Sequence, residues 1–547
     1  MKRIKQYIMF GAAALMTASC SDFLDTTPYD ALSPSTTWKT EQDAEKFAIG
    51  CYSGWEDGGR LLYMDCTSDF GYNNFSWEGY KDLANGNMTQ ANSGASFYGY
   101  TTIRRCNTFL NNVQSIEFAD EAVKKDLIAQ VRVLRAYKYF IMNWAYGGVP
   151  IIDNYDTAED AQVPRNTEQE VRDFIAKELD ECTPDLNKMP AERGRIAKGA
   201  ALALRMREAL YYDDWAMAKQ KAEEIIAMDE YDLEDDYLKL FQVAGQDSKE
   251  TILAVQYIPN TYTLYTIGQM YNNGDGGWSS IVPTYNLVDT YEMKNGMTID
   301  EQGSGYDATH PFKDRDPRLA MSVIYPGADY VKAGGAAAVF NTLDKTINGE
   351  SNANYMTSAD NASKTGLTWN KYLSPITQYA DIWKSNACPI VFRYAEVLLT
   401  WAEAENELNG PSDEVYKKIN KVRERAGMPD VDQAKYATKE SLRELIHRER
   451  AVEFAGEGLR RADILRWKTA DGKMLAEKVL NGRLERRIGT VDASVSDPGL
   501  RATITLSPDP TEVLIENRSF QPFHRYFPFS QGDIDKNPKL EQNEGYK

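Results

Sequence analysis

Apolar side chains recur at intervals of three and four between Asp120 and Pro150, at Leu127, Val131, Leu134, Tyr137, Ile141 and Trp144. That spacing predicts one amphipathic α-helix from Glu121 to Tyr146. Asp120 is the expected N-cap, and Gly147, Gly148 and Pro150 supply the stop. At about 1.5 Å per residue the helix reaches roughly 39 Å, enough to span a large domain. Its aromatics, Tyr137, Phe140, Trp144 and Tyr146, read either as stacking platforms or as core. Helical spacing beside Leu and Ile assigns them to core, with Tyr137 and Trp144 on the buried face.

The same periodicity predicts helices over Glu41 to Trp55, Thr101 to Ser115, Thr167 to Cys182, Lys198 to Tyr212 and Trp215 to Met228. Thr167 with Glu170 forms a capping box, and Asp213-Asp214 breaks one helical run into two. Further helices are expected at Pro389 to Leu408, Asp413 to Ala426, Lys439 to Gly456 and Leu459 to Lys468. Helix, short turn, helix units of these lengths suit tetratricopeptide-like pairs, each burying its apolar face on the next. The expected fold class is therefore mainly α: helical pairs forming one scaffold, with an irregular loop-rich insertion containing short strands.

Three stretches break the helical pattern. Residues 61–100 hold Tyr63, Phe70, Tyr72, Phe75, Trp77, Tyr80, Phe97, Tyr98 and Tyr100 among Asn, Gly, Ser and Asp. So long a loop in a compact domain is functional or disordered, and its aromatic density argues against disorder. Residues 250–388 turn to Gly, Asn, Thr and aromatics with short alternating runs such as TILAVQYI; they carry a second cluster, Tyr262, Tyr265, Tyr271, Trp278 and Tyr285. A third cluster there, Tyr355, Trp369, Tyr372, Tyr379 and Trp383, ranks behind the other two as ligand-facing. From Asp471 on, the chain is again irregular, with one short-strand run, ATITLSP.

Charge and targeting narrow the picture. At 547 residues the chain can bury a large core, and its net charge of −19 argues against nucleic acid, whose phosphates need clustered Lys and Arg. Lys2, Arg3 and Lys5 precede a short apolar core and the small residues Thr17, Ala18 and Ser19, a secretory signal over residues 1–19. Cys20 directly after those residues resembles a bacterial lipobox, which implies cleavage before Cys20 and its lipidation. Residues 20–40, rich in Ser, Thr, Pro and Asp, then read as a lipid-anchored tether. No later apolar run is long enough to span a bilayer. Cys51, Cys66, Cys106, Cys182 and Cys388 show no C-x-x-C spacing, so neither a zinc site nor a disulfide scaffold is expected. Asn272, Asn273 and Asp275 are oxygen-rich but lack EF-hand spacing, and no metal is assigned.

Ordered short motifs run from end to end: CSDFLD from Cys20 to Asp25; Leu134 to Tyr137 with Gly148 to Pro150; Lys198 to Ala201 with Arg207 and Trp215; Asp316 to Arg318; Arg393 to Leu399 with Ala402 to Ala404; Arg423 to Arg425; Arg448 to Glu453 with Gly458 to Arg460, Asp463, Arg466 and Trp467; and Pro528 with Asn537, Pro538 and Gln542 to Tyr546. In this the chain resembles the SusD/RagB family of outer-membrane nutrient-binding lipoproteins of the Bacteroidetes type. The resemblance implies a single domain over 41–547: an N-terminal helical part (41–249) carrying the aromatic loop 61–100, an irregular ligand-binding insertion (250–388), C-terminal helical pairs (389–470) and an irregular segment (471–547). It further implies lipid anchoring at the outer membrane, an outward-facing position, and capture of glycans, or in some members peptides, for a SusC-like TonB-dependent transporter. In the family the Arg- and Glu-bearing motifs between Arg448 and Trp467 are scaffold, as Arg with Glu at helical spacing makes ion-paired packing.

A sugar ring presents an apolar C–H face and a fringe of hydroxyls, so its site needs a flat aromatic with Asn, Asp, Gln or Arg at the edge. Two stretches supply both, Tyr72-Asn73-Asn74-Phe75-Ser76-Trp77-Glu78-Gly79-Tyr80 and Tyr271-Asn272-Asn273-Gly274-Asp275-Gly276-Gly277-Trp278. By position along the chain, Trp77 and Trp278 are similar to the stacking aromatics of starch-binding relatives, and Tyr80, Tyr72, Asn73, Asn74, Tyr265 and Tyr271 complete the candidate ligand contacts. The alternative for each Trp is a buried anchor for its loop. A surface glycoside hydrolase would need two carboxyl groups about 5 to 10 Å apart across a cleft. No such pair is evident: Asp213-Asp214 sits at a helix junction, and Glu403, Glu405 and Glu407 belong to a helical surface pattern. His310, His447 and His524 carry no partner motif, and no nucleotide or dinucleotide fingerprint appears, so neither catalysis nor a cofactor is expected.

Overall fold

The structure is a computed structural model that describes residues 38–154, 157, 159–358 and 360–546. The signal stretch, Cys20 and nearly all of the tether lie outside the described residues. The first of the main helices, α1 (Glu41–Cys51), is opened by a Thr40–Asp43 capping box. It is followed by α2 (Thr101–Asn112), α3 (Glu121–Tyr146), α4 (Glu168–Cys182), α5 (Lys198–Tyr211) and α6 (Trp215–Ala227). The Thr167–Glu170 capping box opens α4 as expected. Beyond the short helix α7 (Thr266–Met270) in the insertion come α8 (Tyr394–Asn409), α9 (Asp413–Arg425), α10 (Lys439–Glu453) and α11 (Arg460–Arg466).

Neighbouring helices pack as pairs: α2 with α3, α3 with α4, α5 with α6, and α8 with both α9 and α10. The contact of α6 with α8 joins the N-terminal to the C-terminal pairs across the insertion. One hydrophobic core runs through all of them, from Ala44 to Tyr546. Its thiols Cys51, Cys66, Cys106, Cys182 and Cys388 are buried and free. No helix among the described residues is long and apolar enough to cross a membrane.

Helix α3 begins and ends where its capping chemistry dictates. The Asp120 carboxylate accepts from Ala122 N–H at 2.8 Å, and Gly147 at φ +65° closes the last turn by donating to Asn143 O. A Cβ on Gly147 would also meet the Tyr526 ring at 2.6 Å, so only glycine lets the C-terminal segment lie across this helix end. Tyr137, Phe140 and Tyr146 are buried, whereas Trp144 and Ile141 are only half-buried, which corrects the expected placement of Trp144. The reason is that α3 is enclosed on several sides, so Ala129, Val133, Tyr139 and Met142 are buried as well. Trp144 falls at the margin, edge-on to Phe97 and Phe527.

A second correction concerns Pro389 to Leu408. Its first residues form strand β4 (Ile390–Arg393), which pairs antiparallel with β2 (Thr251–Ala254) before α8 starts. This pair brings the two ends of the insertion together, and Ile390-Val391-Phe392 suits a buried strand as well as a helix. Helix α8 is central: Glu403, expected on a surface pattern, is buried. It is held there by Arg466 at 2.6 and 2.8 Å and by the Trp467 Nε1–H at 3.1 Å.

The Arg- and Glu-bearing motifs are scaffold. Arg393 bonds Glu250, Glu453 and Glu457; Arg318 bonds Asp316, Glu449 and Glu453; Arg423 bonds Glu292 and Glu449. All these side chains are buried, so each charge depends on its partners for the solvation it has lost. Toward the C-terminus, β5 (Asn481–Glu485) pairs with β8 (Leu514–Ser519), and β6 (Ile488–Val491) pairs with β7 (Ala502–Thr505), all antiparallel.

Candidate functional site

The two aromatic stretches, about two hundred residues apart in sequence, meet through a strand pair. Strand β1 (Gly71–Asn73) runs antiparallel to β3 (Ile281–Pro283), with Tyr72 opposite Val282 and Asn73 opposite Ile281. The pairing extends one step further through Asn74 N–H to Ser280 O at 2.9 Å. On the other side, the Arg518 guanidinium of β8 donates to the carbonyls of Ser68 and Gly71 and pins the start of β1.

After β1 the chain turns through a short 3-10 helix, Ser76–Glu78, which ends at Gly79 with φ +88°. This turn lifts Trp77 out of the body: its indole is 75% exposed and stacks on the buried Phe75 ring at 4.5 Å. Glu78 clamps the turn by accepting from Asn73 Nδ2 at 2.5 Å and from Gln269 Nε2 of α7 at 3.0 Å. The same Asn73 amide donates to Ser280 O at 3.1 Å. Neither Glu78 nor Gln269 was among the expected site residues, since their relation exists only once the two stretches are paired.

On the facing segment, Tyr265, Trp278 and Trp383 form a second aromatic surface. Trp278 and Trp383 lie 4.7 Å apart, Tyr265 is 4.7 Å from Trp383, and Tyr265 is edge-on to Trp278 at 5.9 Å. Tyr265 is 46% exposed and both indoles are half-buried. Gly268 makes this possible, for a Cβ there would stand 2.3 Å from the Trp383 ring. By its place in the sequence Trp383 belongs to the third cluster. That cluster divides: Trp369 and Tyr372 are buried core, and Trp383 joins Trp278.

The remaining expected residues take supporting positions. Tyr72, Asn73 and Tyr271 are buried, Tyr72 accepting from Lys81 Nζ at 3.0 Å and Tyr271 donating to Ser374 O at 2.5 Å. Asn74 donates to Ala362 O at 3.0 Å, and Tyr80 stacks on Tyr63 at 4.6 Å. Tyr271, Asn272 and Asp275 line a separate cleft of about 380 Å³ with Tyr330, Asn370 and Ile376. In the Asn272–Asp275 turn the Asn272 amide donates to Asp275 at 2.7 Å, and Asp275 also accepts from Ala333 N–H. One Asp275 oxygen thus serves its own turn and the other ties that turn to the segment at Ala333.

Comparison with known proteins decides the family. The sequence profile of the SusD family matches residues 249–546, and a profile described as starch-binding, associating with outer membrane, matches residues 22–210. The chain belongs to the SusD family. It is 26% identical over 498 residues to SusD-like protein P25 of Formosa agariphila, covering 85% of this chain and 90% of that protein. It is 24% identical over 491 residues to the starch-binding protein SusD of Bacteroides thetaiotaomicron, covering 81% and 77%. A SusD-like carbohydrate-binding protein from Bacteroides fragilis superposes with a TM-score of 0.78 at 27% identity, over 92% of this chain and all of that one. The mainly helical fold with its loop-rich insertion is thus that of SusD-like proteins.

Proposed function

We propose that this SusD-family chain captures an extended oligosaccharide or polysaccharide on the surface bearing Trp77, Tyr265, Trp278 and Trp383. The observation that carries this reading is the exposure of flat aromatic faces on two clamped loops, bordered by Asn74, Glu78 and Gln269. A pyranose stacks its C–H face on an indole while neighbouring amides and carboxylates take its hydroxyls. Clamping matters because a platform already ordered before binding loses less entropy on contact. In this reading residues 41–547 act as one unit, anchored through lipid on Cys20 to the outer face of the outer membrane. The unit passes glycan to a SusC-like TonB-dependent transporter.

The surface binds without cleaving. Glu78, the carboxylate adjoining Trp77, is occupied by two amide donors, an arrangement suited to holding a loop rather than to proton transfer. A glycan-array screen of the protein beginning after Cys20 tests the ligand class, with Trp77→Ala and Trp278→Ala alongside. Retention of glycan by wild type and its loss in both variants supports the platform; equal retention by all three places the site elsewhere. Prolonged incubation of the retained glycan should release no new reducing ends.

A further inference from the structure

The cleft of about 380 Å³ that Tyr271, Asn272 and Asp275 border shares none of its lining with the four aromatics of the platform. One wall is the strand Val323–Ile324, which pairs antiparallel with Thr368–Trp369. Another is the strand Asp329–Val331, paired with Ala337–Val339 and tied down at two points. Arg501 holds Asp329 at 2.6 Å, and Asp275 accepts from Ala333 N–H at 2.7 Å. A third side is closed where Tyr271 donates to Ser374 O at 2.5 Å. Walls braced in this way need little ordering on contact with a ligand.

The lining carries polar groups that the fold does not use. Tyr325 is 7% exposed, its ring stacked on Phe312 at 4.3 Å, and its hydroxyl has no hydrogen-bond partner among the described residues. The hydroxyl of the half-buried Tyr330 is likewise unpartnered there. A phenol hydroxyl so far withdrawn from water costs stability until something bonds it. Gln242 and Asn370 each donate an amide N–H to a backbone carbonyl, at 3.3 and 2.9 Å, which leaves their amide oxygens to accept.

The same lining selects the ligand class. Among the described residues no Lys, Arg or His borders the cleft, so an anion finds no counter-charge there. Asp275 is engaged on both oxygens, by Asn272 and Ala333, and Asp329 is paired with Arg501, so an ammonium group finds no unpaired carboxylate. A neutral molecule with several hydroxyl donors and one apolar face meets both the open acceptors and the walls of Val323, Ile324 and Ile376. A small sugar has this character. The volume stands near the lower end of small-molecule sites, which suits a monosaccharide or disaccharide and not a polymer.

We propose that this cleft is a second saccharide site, separate from the platform, which takes a neutral mono- or disaccharide unit with its hydroxyls on Tyr325, Tyr330, Gln242 and Asn370. The proposal rests on the glycan-binding reading for its ligand class. The platform stacks along an extended chain, and the cleft encloses a single short unit.

Saturation-transfer NMR titrations of the protein beginning after Cys20 with maltose, cellobiose, lactose and mannobiose test it. At least one disaccharide is expected to bind, to weaken about fivefold or more in Tyr325→Phe, the scale of one hydrogen bond, and to be lost in Ala320→Trp, which places an indole at the cleft lining. Tyr325→Phe removes only an unbonded hydroxyl, so its urea midpoint should match or exceed that of wild type, which separates a lost contact from a lost fold. Binding of none of the four, or binding that both variants leave unchanged, overturns the site. Trp278→Ala distinguishes this failure from that of the platform. A disaccharide kept by Trp278→Ala but lost in Ala320→Trp belongs to the cleft, whatever becomes of the platform. One lost in Trp278→Ala but kept by Ala320→Trp and Tyr325→Phe belongs to the platform and overturns the cleft.

Discussion

Trp278 and Trp383 stand with ring centroids 4.7 Å apart at 57°, although they come from different aromatic runs of the insertion. Their contact, over a glycine at position 268 that no larger residue can replace without moving the Trp383 ring, makes one surface of what the chain presents as two. Replacing either indole should therefore have similar consequences. Trp278→Ala and Trp383→Ala are each expected to weaken glycan retention by about 1–3 kcal/mol, on the scale of aromatic stacking against a flat ligand. Affinity electrophoresis in gels containing the cognate glycan reads this directly; an unaffected Trp383→Ala would confine the platform to Trp77 and Trp278.

Glu78 connects the two loops. With Glu78→Ala, the Asn73 and Gln269 amides lose their shared acceptor, at a cost of about 1–3 kcal/mol for partly buried donors left unmet. Because the Trp77 turn depends on that clamp, hydrogen exchange should accelerate over residues 75–80 and 266–280 while the α3 amides keep their protection. Glycan affinity should fall in step. Exchange unchanged in both loops would show that β1–β3 pairing alone suffices.

The buried ion-pair network predicts a sharp contrast between two glutamates. Burial disfavours the Glu453 carboxylate, but Arg425, Arg393 and Arg318 around it hold its pKa well below the usual carboxylate range. Glu453→Gln leaves those guanidinium groups short of a counter-charge in the core, and the expected loss is about 3–5 kcal/mol. Glu45, half-exposed and 3.4 Å from Arg195, forms an ordinary surface pair. Its change to Gln should cost less than about 1 kcal/mol. Urea denaturation of the two variants beside wild type checks the ordering.

His524 gives the fold an acid-sensitive point. Its Nδ1 accepts from Gln521 N–H at 3.0 Å, which requires the neutral ring, and burial together with the Arg461 charge brings its pKa down to about 4. An unfolded histidine titrates near 6.5, so between these values the unfolded chain binds more protons than the folded one. From this group, stability is complete above about pH 6.5 and falls on acidification toward 4, by at most about 1.4 kcal/mol per pH unit. His524→Asn should flatten the stability profile across that window, measured by urea midpoints from pH 4 to 7. An unchanged slope would assign the acid sensitivity to the carboxylates.

Sequence alone determined what depends on neighbours in the chain. The span Glu121–Tyr146, its Asp120 and Gly147 caps, the Thr167 capping box and most helix limits follow from local hydrogen bonds and a 3.6-residue period, which short-range chemistry fixes. The family's motifs, spread in order over the chain, were legible for the same reason. Tertiary structure decided the rest. Ile390–Arg393 is a strand because β2 lies beside it, and Glu403 is buried because Arg466 and Trp467 receive it. Trp144 sits at a margin because other elements enclose the rest of α3. In the candidate site, sequence named Trp77 and Trp278 as candidate stacking residues through their Asn- and Gly-rich settings, but it did not separate the exposed Trp77 and half-buried Trp278 from Tyr72, Asn73 and Tyr271, which are buried. That separation depends on the register of β1 against β3 and on contacts such as Glu78–Gln269 and Trp278–Trp383. Partners so distant along the chain leave no periodic trace, because the energy that joins them is paid only when the whole core closes.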